Sequence, residues 1–99
     1  MDINTEAKVV ETTLTVQHEH GLHARPADMF VRCANSFSST VHVYNLSRNA
    51  TKKANAKSIL GILSIGVHGS DSIRIVATGE DGQQAIEALS QLVSDNFKE

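Results

Sequence analysis

Between Val10 and Gln17 apolar and polar positions alternate: Leu14 and Val16 fall on one side, Thr13, Thr15 and Gln17 on the other. A period of two predicts a strand with one wet face. His18 to His23 interrupts the alternation around Gly21 and is a loop. From Ala24 to Phe37 the period lengthens, and Ala27, Phe30, Val31, Ala34 and Phe37 share one stripe of a helix. Pro26 falls in its first turn, where a missing N–H costs nothing, and His23 falls near its N-cap. Thr40 to Leu46 alternates again, with Val41 and Val43 against His42 and Tyr44. A polar turn over Asn45–Asn49 and a weaker, Lys- and Asn-rich strand over Ala50–Ala56 complete a hairpin.

The run Ile59-Leu60-Gly61-Ile62-Leu63-Ser64-Ile65 is too short for its period to separate helix from strand. Ser58 before it and Gly66 after it are a favoured N-cap and a favoured C-terminal stop, so a short helix is predicted. A helix of two turns cannot hide all of its large apolar side chains, so part of the run is expected to lie exposed. Ser72 to Thr78 alternates Ile73, Ile75 and Ala77 against Arg74, Val76 and Thr78, a further strand. Asp81 is placed to cap a last helix whose buried stripe is Ile86, Leu89, Leu92 and Val93. The order β-α-β-β-α-β-α, with a hairpin inside it, predicts an α+β domain in which helices cover one face of an antiparallel sheet.

The chain has 99 residues, enough for one core and no more. Residues 10–99 are expected to form that domain and residues 1–9 a flexible N-terminal leader. One cysteine, Cys33, excludes an internal disulfide and a four-cysteine zinc site. Cys33 lies beside the helix stripe and is expected to act as a small core hydrophobe. No Trp and one Tyr argue against a base-stacking platform. No segment reaches the apolar length of a membrane span, and the N-terminus lacks a signal-peptide pattern, so a cytoplasmic location without membrane contact is expected.

Charge is uneven. Residues 25–57 carry Arg25, Arg32, Arg48, Lys52, Lys53 and Lys57 against Asp28 alone, while the flanking segments are acidic and bring the total to −2. The basic middle admits an acidic protein partner or a phosphate, or only a solvated surface. A net acidic domain lacks the broad field that nucleic acid requires, so no nucleic-acid partner is expected.

The chemistry concentrates in Gly21-Leu22-His23-Ala24-Arg25-Pro26-Ala27. An imidazole stands at the mouth of a helix, where uncapped N–H groups and the positive end of the dipole attract phosphate. Arg25 adds a permanent cation with forked donors for phosphoryl oxygens. A neutral imidazole offers a ring nitrogen lone pair as nucleophile. Phosphoryl transfer asks mainly for positioning and charge neutralisation, which these groups supply. The plainer alternative is a capping histidine and a surface arginine. There is no second catalytic base and no Gly-rich nucleotide loop, so an independent enzyme is not expected, and neither a cofactor nor a structural metal is called for.

This segment resembles the active-site signature of the HPr family, the histidine-containing phosphocarriers of the bacterial phosphoenolpyruvate-dependent sugar phosphotransferase system. Lys57-Ser58-Ile59-Leu60-Gly61-Ile62-Leu63-Ser64-Ile65-Gly66 resembles that family's regulatory-serine helix. The resemblance runs from about Thr12 to the C-terminus. It implies an open-faced β-sandwich, a four-stranded antiparallel sheet with three helices on one face. It implies that His23 accepts a phosphoryl group at Nδ1 from enzyme I and passes it to enzyme IIA domains of sugar permeases, with Arg25 stabilising the group. The residues themselves do not choose between the ring nitrogens. It implies, for Ser58, phosphorylation by an HPr kinase/phosphorylase and service as corepressor to a catabolite-control transcription regulator; serine is also simply a good N-cap. Met29, Ile59, Leu60 and Leu63 are the expected partner-binding residues, though about half of such a run must pack inward. A monomer with transient partners is expected.

Three features depart from the family pattern. His20, with His18 and His23, forms a spacing that metal ions accept, and Glu19 between them is expected to alternate away. Asp28 stands one turn past His23 and would repel a phosphate it faced. The stretch from Tyr44 to Ala54 is longer than usual, which reads as a lengthened turn. Two other functions share the same residues: a regulatory binding module that docks through the Ser58 helix, and a carrier in a nitrogen-related relay.

Overall fold

The computed structural model describes residues 8–98. It contains β1 (Val9–Thr15), α1 (Arg25–Asn35), β2 (Thr40–Asn45), β3 (Asn49–Asn55), α2 (Ile59–Ser64), β4 (Ser72–Thr78) and α3 (Gly82–Ser94). The strands form one antiparallel sheet in the order β1-β4-β2-β3. The expected α+β class and element order hold.

The alternation along the strands decides which face is covered. Ile73, Ile75 and Ala77 of β4, Val41 and Val43 of β2 and Ala54 of β3 point inward and are buried. The helices lie over that face: α3 crosses β1, β4 and β2, α1 packs on α3, and α2 packs between α1 and β3. Phe30, Ile62 and Leu89, each fully buried, bring the three helices into one core.

Several boundaries shift for physical reasons. β1 begins at Val9, inside the expected leader, because the preceding residue is already tied in: Lys8 O accepts from Gly79 N at 2.9 Å. Residues 1–7 of that leader lie outside the described residues. β1 also ends at Thr15; Val16 leaves the ladder but is fully buried, its N–H donating to Asp71 O at 2.9 Å. α1 starts at Arg25 with Ala24 at its N-cap, so His23 stands one residue outside the cap. β3 exposes every residue but Ala54, as an edge strand whose outer side has no partner strand among the described residues, which explains its poor pattern.

Asp81 does stand at the N-cap of α3, yet its side chain does not cap it. The carboxylate instead accepts from Ser38 N at 2.8 Å, Ser39 N at 2.9 Å and both serine hydroxyls. It staples the α1–β2 turn to the start of α3. The Ser39 hydroxyl and Ser38 N–H lead the contacts that hold this carboxyl down to about 2.

Candidate functional site

The loop from β1 to α1 is pressed against a second loop, residues 65–71, which joins α2 to β4. Gly21 has φ +65°, and a Cβ there would lie 2.0 Å from Val67 O. Only glycine allows this approach. Gly21 N donates to His18 O at 2.8 Å, and Leu22 N donates to Val67 O at 3.1 Å. Leu22 is buried and roots the loop in the core.

His23 follows, exposed. Ala24 after it has φ +52° and ψ −120°, a conformation a residue with a Cβ rarely adopts. Such strain persists where neighbours over-determine it, and here Leu22 on one side and Pro26 and Ala27 on the other are all buried. The first hydrogen bond of the helix, Asp28 N to Ala24 O at 3.1 Å, starts from this strained residue. Among the described residues no side chain caps α1. The helix terminus therefore presents its polarity beside the imidazole, as an anion site requires.

Two clefts meet at His23 and His20. One, of about 470 Å³, runs toward Leu63 and the Gly66–Gly69 stretch of the second loop and includes Glu19 and His68. The other, of about 390 Å³, is lined by His18, Ala24, Arg25, Pro26, Met29 and Phe97. Arg25 is the exposed first residue of α1 and so shares a cleft wall with His23. Met29 sits one turn further in, half-buried, serving both the core and the cleft. The arrangement sets an imidazole, a cation and a helix N-terminus around an open space.

α2 carries the other candidates. Ser58 Oγ accepts from Gly61 N at 3.0 Å, the expected N-cap. Ile62 and Ile65 are buried beneath the helix, while Ile59 is 40%, Leu60 76% and Leu63 38% exposed. Part of the run lies exposed, as expected. Leu63 joins it to the His23 cleft; Ile59 and Leu60 lie outside both clefts, on the surface beside them.

The departures from the family pattern resolve as follows. The Asp28 carboxylate turns along the helix to Arg32, 3.0 Å away, and lines neither cleft. Glu19 does not alternate away: its carboxylate lies 3.2 Å from His20 Nε2. His18 Nδ1 accepts the His20 N–H at 3.2 Å and its ring stands edge-on to Phe97. Among the described residues no three His, Cys, Asp or Glu side chains converge to hold a metal ion. Cys33 is partly buried, and burial pushes its thiol up, away from a nucleophile's range.

Four cations of the basic middle have local partners. Arg32 pairs with Asp28, Arg48 with Asp71, and Lys52 and Lys57 donate to the Ser64 and Phe37 carbonyls. Four wall residues carry no signal in the sequence: Val67, His68 and Gly69 on the second loop, and Phe97 in the chain beyond α3. All are remote from residue 23, and no periodic or motif pattern marks them.

No helix among the described residues is long and apolar enough to cross a membrane. The family model for the "PTS HPr component phosphorylation site" matches residues 10–95. A multiphosphoryl transfer protein of Haemophilus influenzae is 36% identical over 98 residues, which are 99% of this chain and 19% of that protein. The chain thus spans about a fifth of that relative's length. The HPr-like protein Crh of Bacillus subtilis is 39% identical over 88% of this chain and 98% of its own. The crystal structure of HPr-C-His from Thermoanaerobacter tengcongensis superposes with a TM-score of 0.84 at 42% identity, covering 91% of this chain and 97% of that one. The chain belongs to the HPr family of the phosphotransferase system, whose members carry a phosphoryl group between partners and catalyse no reaction of their own.

Proposed function

We propose that His23 accepts a phosphoryl group from phosphorylated enzyme I and delivers it to enzyme IIA domains of sugar permeases in the cytoplasm. The observation that carries this is the placement of His23. It is exposed where two clefts meet, one residue before the uncapped N-terminus of α1, with Arg25 on the adjoining wall. The lone pair of a ring nitrogen forms the bond to phosphorus as the donor's bond breaks, and the leaving group departs with its electron pair. Family resemblance directs the attack to Nδ1. Arg25 and the helix N-terminus meet the charge on the phosphoryl oxygens. Reversal of the same step on a IIA domain completes the relay, and a monomer suffices for it.

The exposed Ile59, Leu60 and Leu63, with Met29, form the docking surface in this reading. Phosphorylation of Ser58 by an HPr kinase/phosphorylase would place about two negative charges beside that apolar surface, excluding one partner and admitting another, a catabolite-control transcription regulator. A second reading is favoured by the match to nearly the whole of Crh: a regulatory module that works through Ser58 and the α2 surface.

Intact mass after incubation with phosphoenolpyruvate and enzyme I separates the two. One acid-labile phosphoryl group on the wild type, absent from His23→Ala, is the expected result. A wild type that stays unmodified beside a competent enzyme I, but takes phosphate from ATP with an HPr kinase, would select the regulatory module.

A further inference from the structure

The β2–β3 hairpin does more than lengthen a turn. Its residue Arg48 reaches the second loop: Nε lies 3.0 Å from Asp71 Oδ2, and a second guanidinium nitrogen 3.4 Å from Oδ1. The Asp71 side chain is 8% exposed, and its Oδ2 also accepts from His68 N at 2.9 Å and Asn45 Nδ2 at 3.2 Å. Asn45, fully buried, donates in addition to Ile65 O at 2.9 Å. One carboxylate thus closes the 68–71 turn on itself and ties it to the hairpin.

That turn is under strain. Ser70 has φ +74° and is held there by its N–H bond to Val16 O at 2.8 Å. The same loop supplies Val67 O, which receives Leu22 N and abuts Gly21. Leu22 is the residue before His23. Three hydrogen-bonded steps, joined by peptide links, therefore run from the hairpin tip to the backbone beside His23: Arg48 to Asp71, Asp71 to His68, and Val67 to Leu22.

We propose that Arg48, acting through Asp71, is a positioning residue for His23: it sets the loop that forms one wall of the phosphoryl-transfer cleft. The proposal rests on the reading of His23 as the phosphoryl acceptor. Burial pushes the Asp71 carboxyl up, but the Arg48 bond, the His68 N–H, the Asn45 amide and the Arg48 charge outweigh it and bring it below its ordinary value. The carboxylate is ionised at neutral pH and needs its cation. Without Arg48 it keeps only its Asn45 and His68 donors, beside a turn that is already strained. The forked guanidinium contacts both carboxylate oxygens, so lysine replaces the charge without the geometry.

The test compares wild type, Arg48→Met, Arg48→Lys, Asp71→Asn and the double variant Arg48→Met with Asp71→Asn, each in the full chain. Two measurements are made on each: the rate of phosphorylation by phosphorylated enzyme I, and amide hydrogen exchange residue by residue. Expected for Arg48→Met is a loss of about 10-fold in kcat/KM. Exchange at the Leu22 and His68 amides should rise while amides of the β2–β4 ladder keep their protection. Arg48→Lys should restore part of the rate, and Asp71→Asn should repeat the loss without adding to it in the double variant. Exchange that rises equally throughout the sheet would overturn the proposal, because Arg48 would then serve overall stability. So would a wild-type rate in Arg48→Met. Arg48 is half-exposed, so its variants are expected to fold; should Arg48→Met not fold, Arg48→Lys carries the same comparison. A wild type that enzyme I leaves unmodified would refute the reading of His23 instead, and the exchange pattern would still decide whether the hairpin holds the loop.

Discussion

Glycine at position 21 lets two loops touch, and replacing it with alanine measures how much that contact matters. The new Cβ would stand 2.0 Å from Val67 O, 2.7 Å from His68 Cα and 2.7 Å from Val67 C. All three are backbone atoms, so no side chain can swing aside. To reach ordinary contact the loops must part by more than an ångström, which breaks the 3.1 Å bond from Leu22 N to Val67 O. Alanine at φ +65° costs about 1 kcal/mol from backbone conformation alone. The lost hydrogen bond adds about 1 kcal/mol and the residual overlap a further 1–2, for about 3–4 kcal/mol in all. Gly66 provides the control. It has φ +56°, and its Cβ would meet nothing within 4 Å, so Gly66→Ala should cost only the conformational share, about 1 kcal/mol. Urea denaturation of both variants gives the difference directly, and phosphorylation by enzyme I shows whether His23 moved. Equal destabilisation by the two substitutions would refute the loop contact as the source of the effect. So would a Gly21→Ala protein that keeps wild-type stability and rate.

At Ser58, alanine removes the acceptor of the Gly61 N–H and should lower stability by about 1 kcal/mol, while aspartate keeps an acceptor and should cost less. In transfer from enzyme I the order should reverse, with Ser58→Asp the poorer substrate through a raised KM, because charge beside Leu60 and Leu63 hinders an apolar partner; equal transfer defects would point to the cap rather than the charge. For Asp81 the carboxyl is depressed, so its contribution is present above its ordinary value of 3.8 and is lost as pH falls toward about 2. The stability gap between wild type and Asp81→Asn, measured in denaturant, should therefore narrow as pH falls through that window; a gap that stays constant would show that the serine contacts do not depend on the charge.

What could be read ahead of the structure, and what could not, divides by the range of the interaction. β4 was legible to the residue, because a central strand with one covered face alternates along its whole length. α2 was legible from its ends, since Ser58 caps through a neighbour three residues on and Gly66 adopts the positive φ that stops it. The place of His23 and Arg25 at the entrance of α1 was legible because a helix start is a local event and Pro26 announces it. Asp81 was misjudged for the opposite reason. The same acid at a helix entrance can serve N–H groups on either side of it, and the choice of Ser38 and Ser39, 43 and 42 residues away, follows from how α3 packs beside α1. Arg48 and Asp71 stand 23 residues apart in segments without periodicity, so no local rule joins them. His68 and Phe97 enter the clefts in the same way, one from a turn between α2 and β4, the other from the chain beyond α3. The proposed phosphoryl acceptor is thus written in a short motif, but the walls around it are assembled by tertiary contacts. A sequence search for the motif finds the histidine, and only the packing of the two loops says what holds it in place.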